Sequence, residues 1–214
     1  MEQILKNSNK NVWLGVSVAA LLWMVMFSPW TGPHLNFWYA MSFSAAILIT
    51  ISTIFCSEWI KDIHANPKAL ALGLLIAALL WGVFWLGDII SQWLFGFARM
   101  QVDLIYDMKE DTSPTLIALL LLLLIGPAEE IFWRGFIQRR FTQRWGADIG
   151  FLLTTAIYAA VHIWSLNFML IMAALVAGFC WGIIYRIWPQ TLGSLIISHA
   201  LWDACAFVIF PFHS

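Results

Sequence analysis

The chain of 214 residues is too apolar for a water-soluble protein, since 62% of its residues are hydrophobic and 11% are charged. Soluble domains carry about 25% charged residues, because their cores have to be covered by polar surface. The net charge of −1 lacks the basic excess of proteins that bind nucleic acids, so nucleic acid is not an expected partner. Length, composition and charge together predict an integral membrane protein.

Seven apolar segments follow one another along the chain, most of them near or above the ~20 residues that cross a bilayer as an α-helix. Their predicted bounds are 12–30, 35–56, 68–97, 114–142, 147–164, 167–187 and 191–212. Prolines and glycines mark the breaks between the segments. We therefore predict an all-α fold, a polytopic transmembrane bundle of about seven helices that forms one integral membrane domain over residues 1–214.

The distribution of Lys and Arg predicts the orientation of this bundle in the membrane. With a cytoplasmic N-terminus, the inner connections contain Lys6, Lys10, Lys61, Lys68, Arg139, Arg140, Arg144 and Arg186. The outer connections then contain only Arg99 and Lys109. We predict that the N-terminus is cytoplasmic and, since no eukaryotic targeting signal is evident, that the membrane is the inner membrane of a prokaryote.

The charged connection over residues 99–113 contains four acidic and two basic residues. Isoleucine, leucine and tyrosine interrupt the charges, so a short interfacial helix is one interpretation. A solvated outer loop is the interpretation that we favour.

Six ionisable side chains lie inside the predicted spans, where a charged group costs about 2.5–3.5 kcal/mol if it faces lipid. They are Glu129, Glu130 and Arg134 in the fourth segment, His162 in the fifth, and His199 and Asp203 in the seventh. Because burial in lipid is so costly, we expect the six to converge in the bundle interior. The preceding Gly126-Pro127 pair is expected to break or kink its helix and open space for water.

The spacing within this set indicates its chemistry. Glu130 and Arg134 lie four residues apart on one helix face, as do His199 and Asp203. If Arg134 neutralises one glutamate, the other is a competent general base for water. Histidines can orient that water or stabilise an oxyanion, so the arrangement favours hydrolysis inside the membrane.

Two other functions stay open at this point. Intramembrane acids and histidines also form proton relays, which a proton-coupled transporter would use. The same groups in a non-catalytic immunity or scaffold protein would only hold the helices together.

Three motifs in chain order resemble those of the CPBP (Abi) intramembrane glutamic proteases, which include the type II CaaX prenyl endopeptidases and bacteriocin-processing enzymes. The family patterns EExxxR, FxxxH and Hxxx(N/D) correspond to residues 129–134, 158–162 and 199–203. The resemblance marks residues 114–205 as a catalytic core. Residues 1–113 are then N-terminal helices and an outer loop.

The resemblance implies an intramembrane endopeptidase and a role for each residue of the first two motifs. Glu129, together with His162, would activate the attacking water. Arg134 would hold the glutamate pair, chiefly Glu130. The substrate would be a membrane-associated or lipidated protein or peptide, and membrane lipid would be the other partner. A lipidated C-terminus, a bacteriocin leader, a C-terminal sorting signal and a membrane-bound regulator all stay open as the substrate.

The last motif and one aromatic position depart from the pattern of the CaaX endopeptidases. His199 and Asp203 would stabilise the oxyanion, but Asp203 stands where those enzymes have Asn. A carboxylate donates a hydrogen bond only when it is protonated, so orienting His199 is its alternative role. Tyr158 replaces the usual Phe, which we expect to matter little because a ring at this position packs.

A metal ion is the remaining question of the sequence-based mechanism. Glu129, His162 and His199 offer one carboxylate and two imidazoles, which suit zinc with an open fourth position. The chain has no HExxH pair on one helix. We therefore expect metal-free catalysis without a cofactor, and zinc held by these three residues is the alternative.

Overall fold

The computed structural model describes residues 2–64, 66–109 and 112–212, with side chains from residue 10 onwards. Within these ranges the regular structure is entirely helical. In chain order the helices are α1 (Glu2–Phe27), α2 (Phe37–Phe55), α3 (Pro67–Leu94), α4 (Ala98–Tyr106), α5 (Pro114–Trp145), α6 (Ala147–Ala160), α7 (Phe168–Ile187) and α8 (Leu192–Ala204). Helix α6 continues into a 3₁₀ turn over Val161–Ser165, and α8 continues as a π-helix over Cys205–Ile209.

Seven of these helices are long and apolar enough to cross a membrane, which confirms the predicted bundle. The observed spans are Lys10–Phe27, Phe37–Phe55, Pro67–Leu94, Pro114–Trp145, Ala147–Ser165, Phe168–Ile187 and Pro189–Ile209. Local sequence explains where several of them begin. Asn36, Asn66 and Asn167 each accept a hydrogen bond from the backbone N–H three residues later, which caps the N-termini of α2, α3 and α7.

Helix α5 remains continuous through Gly126 and Pro127, so the expected break is wrong. Its turns instead widen into π-helix over Leu121–Ile125 and again over Ile131–Gln138. The N–H of Gly126 reaches back five residues to the carbonyl of Leu121. This wider turn accommodates the proline, which has no N–H of its own, without ending the helix.

Gly126 allows α5 and α8 to cross in direct contact. A Cβ at this position would lie 2.7 Å from Cα of Ala200, closer than real side chains come. The contact is one residue from His199 and one helical turn from Glu130. The crossing point therefore brings the first and third motifs together.

The two ends of the bundle differ in charge. We call one the arginine-rich end, where α5 and α7 finish; among the described side chains it carries Lys10, Lys61, Lys68, Arg139, Arg140, Arg144 and Arg186. Ion pairs with Asp62, Glu58 and Asp148 involve three of these arginines. We call the other the α4 end, where α1 and α3 finish and α5 and α7 begin.

The solvated loop expected over residues 99–113 is wrong for most of its length. Residues Ala98–Tyr106 form α4, and Asp107–Lys109 add one 3₁₀ turn. Three side chains used in the predictions lie outside the described residues: Glu110 and Asp111 of the same connection, and Lys6 of the orientation count.

Helix α4 is helical because tertiary contacts hold it against α7 and α8. The side-chain amide of Asn167 donates to the carbonyl of Gln101 at 2.7 Å, and the N–H of Met169 donates to the Gln101 side chain at 3.0 Å. The hydroxyl of Tyr106 donates to the carbonyl of Ala206 at 2.8 Å. These bonds link α4 to the start of α7 and to the end of the helix that carries the third motif.

Candidate active site

The six ionisable residues predicted for the site are all buried in the bundle interior, and none is more than 7% exposed. They occupy α5, the end of α6 and α8, as the motif order requires: Glu129, Glu130, Arg134, His162, His199 and Asp203. Helices α5 and α8 bring the first and third motifs into direct contact. His162 joins them through the neighbouring Tyr158.

Glu130 connects two helices through one carboxylate oxygen. Its Oε1 accepts a hydrogen bond from Nη1 of Arg134 at 2.8 Å and another from Nδ1 of His199, also at 2.8 Å. Because a carboxylate oxygen accepts, the hydrogen of this bond is assigned to Nδ1 of His199. The pair Glu130–Arg134 therefore also fixes the orientation of the imidazole.

Arg134 is enclosed by aromatic rings and the backbone of α7. Its guanidinium carbon lies 5.2 Å from the ring centre of Tyr158 and 5.6 Å from that of Trp181, within the range of cation–π attraction. Its Nη2 donates to the carbonyl of Gly178 at 3.2 Å. This enclosure holds a charged group at 1% exposure inside an apolar bundle.

A pair of glycines on α7 receives two polar side chains of α5. Gln138, one turn beyond Arg134, donates to the carbonyl of Gly182 at 2.8 Å. A Cβ on Gly178 would lie 2.8 Å from Cδ1 of Tyr158. Sequence reasoning missed this contact, although the four-residue spacing of Gly178 and Gly182 matches that of Arg134 and Gln138.

Glu129 faces away from this network and is held by a tyrosine. The hydroxyl of Tyr158 donates to Oε2 of Glu129 at 2.7 Å. None of the described side chains donates to the other oxygen, Oε1. The replacement of Phe by Tyr therefore does more than pack a ring, contrary to expectation, because it positions one oxygen of the candidate base.

His162 has both ring nitrogens engaged. Its Nδ1 bonds the carbonyl of Tyr158 at 2.8 Å, and its Nε2 accepts from the indole N–H of Trp23 at 3.0 Å. Trp23 belongs to α1 and is fully buried. In this arrangement His162 offers no free nitrogen to a water molecule, and the sequence held no signal that one of its 14 tryptophans makes this contact.

His199 stands between Glu130 and Asp203. Its Nε2 lies 3.5 Å from Oδ2 of Asp203, and its ring stacks on Trp181 with 3.9 Å between ring centres. The indole N–H of Trp181 donates in turn to Ser198 at 3.1 Å. Asp203 thus faces the ring nitrogen that Glu130 leaves free, a geometry suited to orienting His199.

The candidate residues are not arranged as a metal site in the described part of the chain. Among the described residues, no three His, Cys, Asp or Glu side chains are grouped so that they could hold a metal ion. Of the expected set, both nitrogens of His162 bond protein atoms, and Nδ1 of His199 bonds Glu130. Zinc held by Glu129, His162 and His199 does not fit this geometry.

A cavity of about 490 Å³ opens onto these groups. Its polar lining includes Glu129, His162, His199 and Asp203. The rest of its wall is mainly aliphatic and aromatic, with contributions from helices on both sides of residue 113. A molecule that approaches the Glu129 carboxylate through this cavity therefore passes a mostly apolar wall.

Residues 111–205 match the family model described as Type II CAAX prenyl endopeptidase Rce1-like. This segment is Rce1-like. The match confirms the resemblance drawn from the three motifs and supports a protease in an integral membrane protein. No curated protein and no solved structure matches the chain. The Rce1-like segment contains all six candidate residues and Tyr158, whereas Trp23 lies before it.

Proposed function

We propose that the protein is an intramembrane endopeptidase in which Glu129 is the general base for hydrolysis of a peptide bond. The observation that carries this proposal is the cavity, where Glu129, His199 and Asp203 from two helices of the Rce1-like segment share one mostly apolar space. A scaffold has no need for a carboxylate that lines such a cavity, and the match of residues 111–205 to a protease family favours an endopeptidase over a proton-coupled transporter.

Glu129 acts through the oxygen that the protein leaves free. Tyr158 holds Oε2, so Oε1 takes a proton from a water molecule in the cavity. The resulting hydroxide attacks the scissile carbonyl carbon and forms a tetrahedral intermediate. This intermediate collapses with cleavage of the C–N bond as Glu129 passes its proton to the leaving amine. This is general base followed by general acid catalysis, which contributes typically about 10²–10⁴-fold to rates. We propose that it proceeds without a metal ion or other cofactor.

His199 stabilises the oxyanion that forms on the attacked carbonyl. Its Nδ1–H remains bonded to Glu130, and the protonated Nε2 donates to the oxyanion. Asp203 keeps this nitrogen directed into the cavity and balances the charge of the imidazolium. Preorganised donors of this kind contribute about 2.7–4 kcal/mol to the stability of the transition state.

His162 helps Glu129 to activate water only when its Nε2 is free. In the resting arrangement the indole of Trp23 occupies this nitrogen. The role therefore requires the indole to turn away when substrate fills the cavity. Until then, His162 and Trp23 together close one side of the site.

The substrate is a membrane-associated protein or peptide whose hydrophobic anchor lies in the apolar part of the cavity. A lipid chain or an apolar polypeptide segment fits this lining equally well. We further propose a prokaryotic inner membrane as the location and surrounding lipid as the second partner.

The test compares peptide termini in the membrane and secreted proteomes of cells that express wild type or Glu129→Gln. Asp107→Asn, the same chemical change on an exposed side chain of the α4 end, is the matched control. We expect specific precursors to remain uncut with Glu129→Gln and to be cut with wild type and the control. Identical termini in all three strains, with equal protein levels in the membrane, would contradict the proposal.

A further inference from the structure

The cavity wall is built mainly from the half of the bundle nearest the α4 end. Helices α1 and α3 contribute residues from their last two or three turns, α2 and α5 contribute residues from their first half, and α7 contributes residues between Phe168 and Trp181. On α5 the lining ends at Glu129 and does not continue towards the arginine-rich end. The cavity therefore extends from the candidate base towards the α4 end.

The bundle is closed on the other side of Glu129. Four apolar residues just beyond it on α5 have no exposed surface: Phe132, Trp133, Phe136 and Ile137. Arg134 and Gln138, on the same turns, bond the carbonyls of α7. A polypeptide approaching from the arginine-rich end would have to displace this whole layer.

The part of the cavity nearest the α4 end is lined by residues of α3 and α4. Asp88 and Ser91 of α3 line it, as do Val102, Ile105 and Tyr106 of α4. Asp88 pairs with Arg99 across the α3–α4 turn at 3.7 Å. Since α4 is bonded to both α7 and α8, this part of the cavity wall is fixed by the fold.

The two ends of the bundle differ in their number of Lys and Arg side chains, and this difference predicts the orientation of the bundle in the membrane. Seven Lys and Arg side chains lie at the arginine-rich end among the described residues, against Arg99 and Lys109 at the α4 end. Connections rich in Lys and Arg stay in the cytoplasm. The α4 end is therefore the extracytoplasmic one.

We propose that substrate reaches Glu129 from the extracytoplasmic side, through an opening between α3 and α4. This inference rests on the proposed function and names its substrate class: a membrane-anchored polypeptide whose scissile bond enters the bundle interior from the outer surface. A protein displayed only on the cytoplasmic surface is not a substrate. The segment that enters is held by the apolar wall and is cut at the depth of Glu129.

The test is the accessibility of single cysteines, which needs no cleavage and no known substrate. The native cysteines Cys56, Cys180 and Cys205 are first replaced by Ala. Ser91→Cys then reports on the opening and Ala173→Cys on the cavity wall, and both positions are half-buried. Gln143→Cys, exposed at the arginine-rich end, is the control. A membrane-impermeant charged maleimide is added to intact spheroplasts and to inverted vesicles.

We expect Ser91→Cys and Ala173→Cys to react in spheroplasts, and Gln143→Cys to react only in inverted vesicles. The reverse pattern would overturn the inference, and so would cavity cysteines that react only after denaturation. The result is independent of proteolysis: if labelling follows expectation while Glu129→Gln leaves all termini unchanged, the proposed function fails and the orientation of the cavity stands.

Discussion

Tyr158 donates a hydrogen bond of 2.7 Å to Glu129, which links α6 to the candidate base on α5. Hydrogen bonds to charged groups contribute about 1.5–3 kcal/mol. Tyr158→Phe removes this bond and keeps the ring. We expect kcat to fall roughly tenfold with little change in KM, because the bond orients the base and does not contact substrate. Steady-state kinetics would check this, and a kcat within twofold of wild type would show that the bond has no positioning role.

Gly178 provides a second way to disturb the same tyrosine. An added Cβ would lie 2.8 Å from its ring, so Gly178→Ala forces Tyr158 to shift. Overpacking of this kind costs about 1–3 kcal/mol. We expect a lower Tm in detergent and a reduced kcat.

Gly82 of α3 is the matched control for that change, since a Cβ there meets no other atom within 4 Å. In a helix, Ala is more favourable than Gly by about 1 kcal/mol. Gly82→Ala should therefore leave activity unchanged and leave Tm equal or higher. Equal effects of the two substitutions would contradict the contact between Gly178 and Tyr158.

The Glu130–Arg134 pair should matter for folding as well as for activity. Removal of one partner of a buried ion pair typically costs about 3–5 kcal/mol, because the other charge stays buried. We expect Glu130→Gln and Arg134→Gln each to lower Tm sharply in detergent. The double variant should lose less stability than the two single variants lose together. A loss equal to that sum would argue against direct coupling of Glu130 and Arg134.

Trp23 and His162 are coupled by one hydrogen bond across α1 and α6. A double-mutant cycle with Trp23→Phe and His162→Ala isolates this bond, because Phe keeps most of the packing. We expect a coupling free energy of about 1 kcal/mol in thermal or denaturant unfolding. A value indistinguishable from zero would mean that α1 does not hold His162.

The parts of this structure that could be predicted from sequence are those encoded within one segment. Apolar length predicted the seven spans. Four-residue spacing placed Glu130 beside Arg134 and His199 beside Asp203, and both contacts are present. The cost of charges in lipid predicted the burial of all six ionisable residues.

The parts that could not be predicted depend on which helices are neighbours. Nothing in the local pattern around Trp23 indicates that α1 packs beside His162. The bond from Tyr158 to Glu129 likewise depends on the rotation of α6 against α5. Helix α4 was not the favoured interpretation of its segment, because its stability comes from contacts such as Gln101 with Asn167, while its charges are typical of a loop.

The most direct test of Glu129 as the hydrolytic base uses membranes from cells expressing Glu129→Gln, in which uncut substrate accumulates. Purified wild type or Glu129→Gln is added in water enriched in ¹⁸O, and new peptide C-termini are identified by mass spectrometry. We predict that wild type produces a small set of C-termini carrying ¹⁸O, and that Glu129→Gln, with an unchanged Tm, produces none. The same labelled termini with both proteins would contradict the assignment of Glu129 as the base.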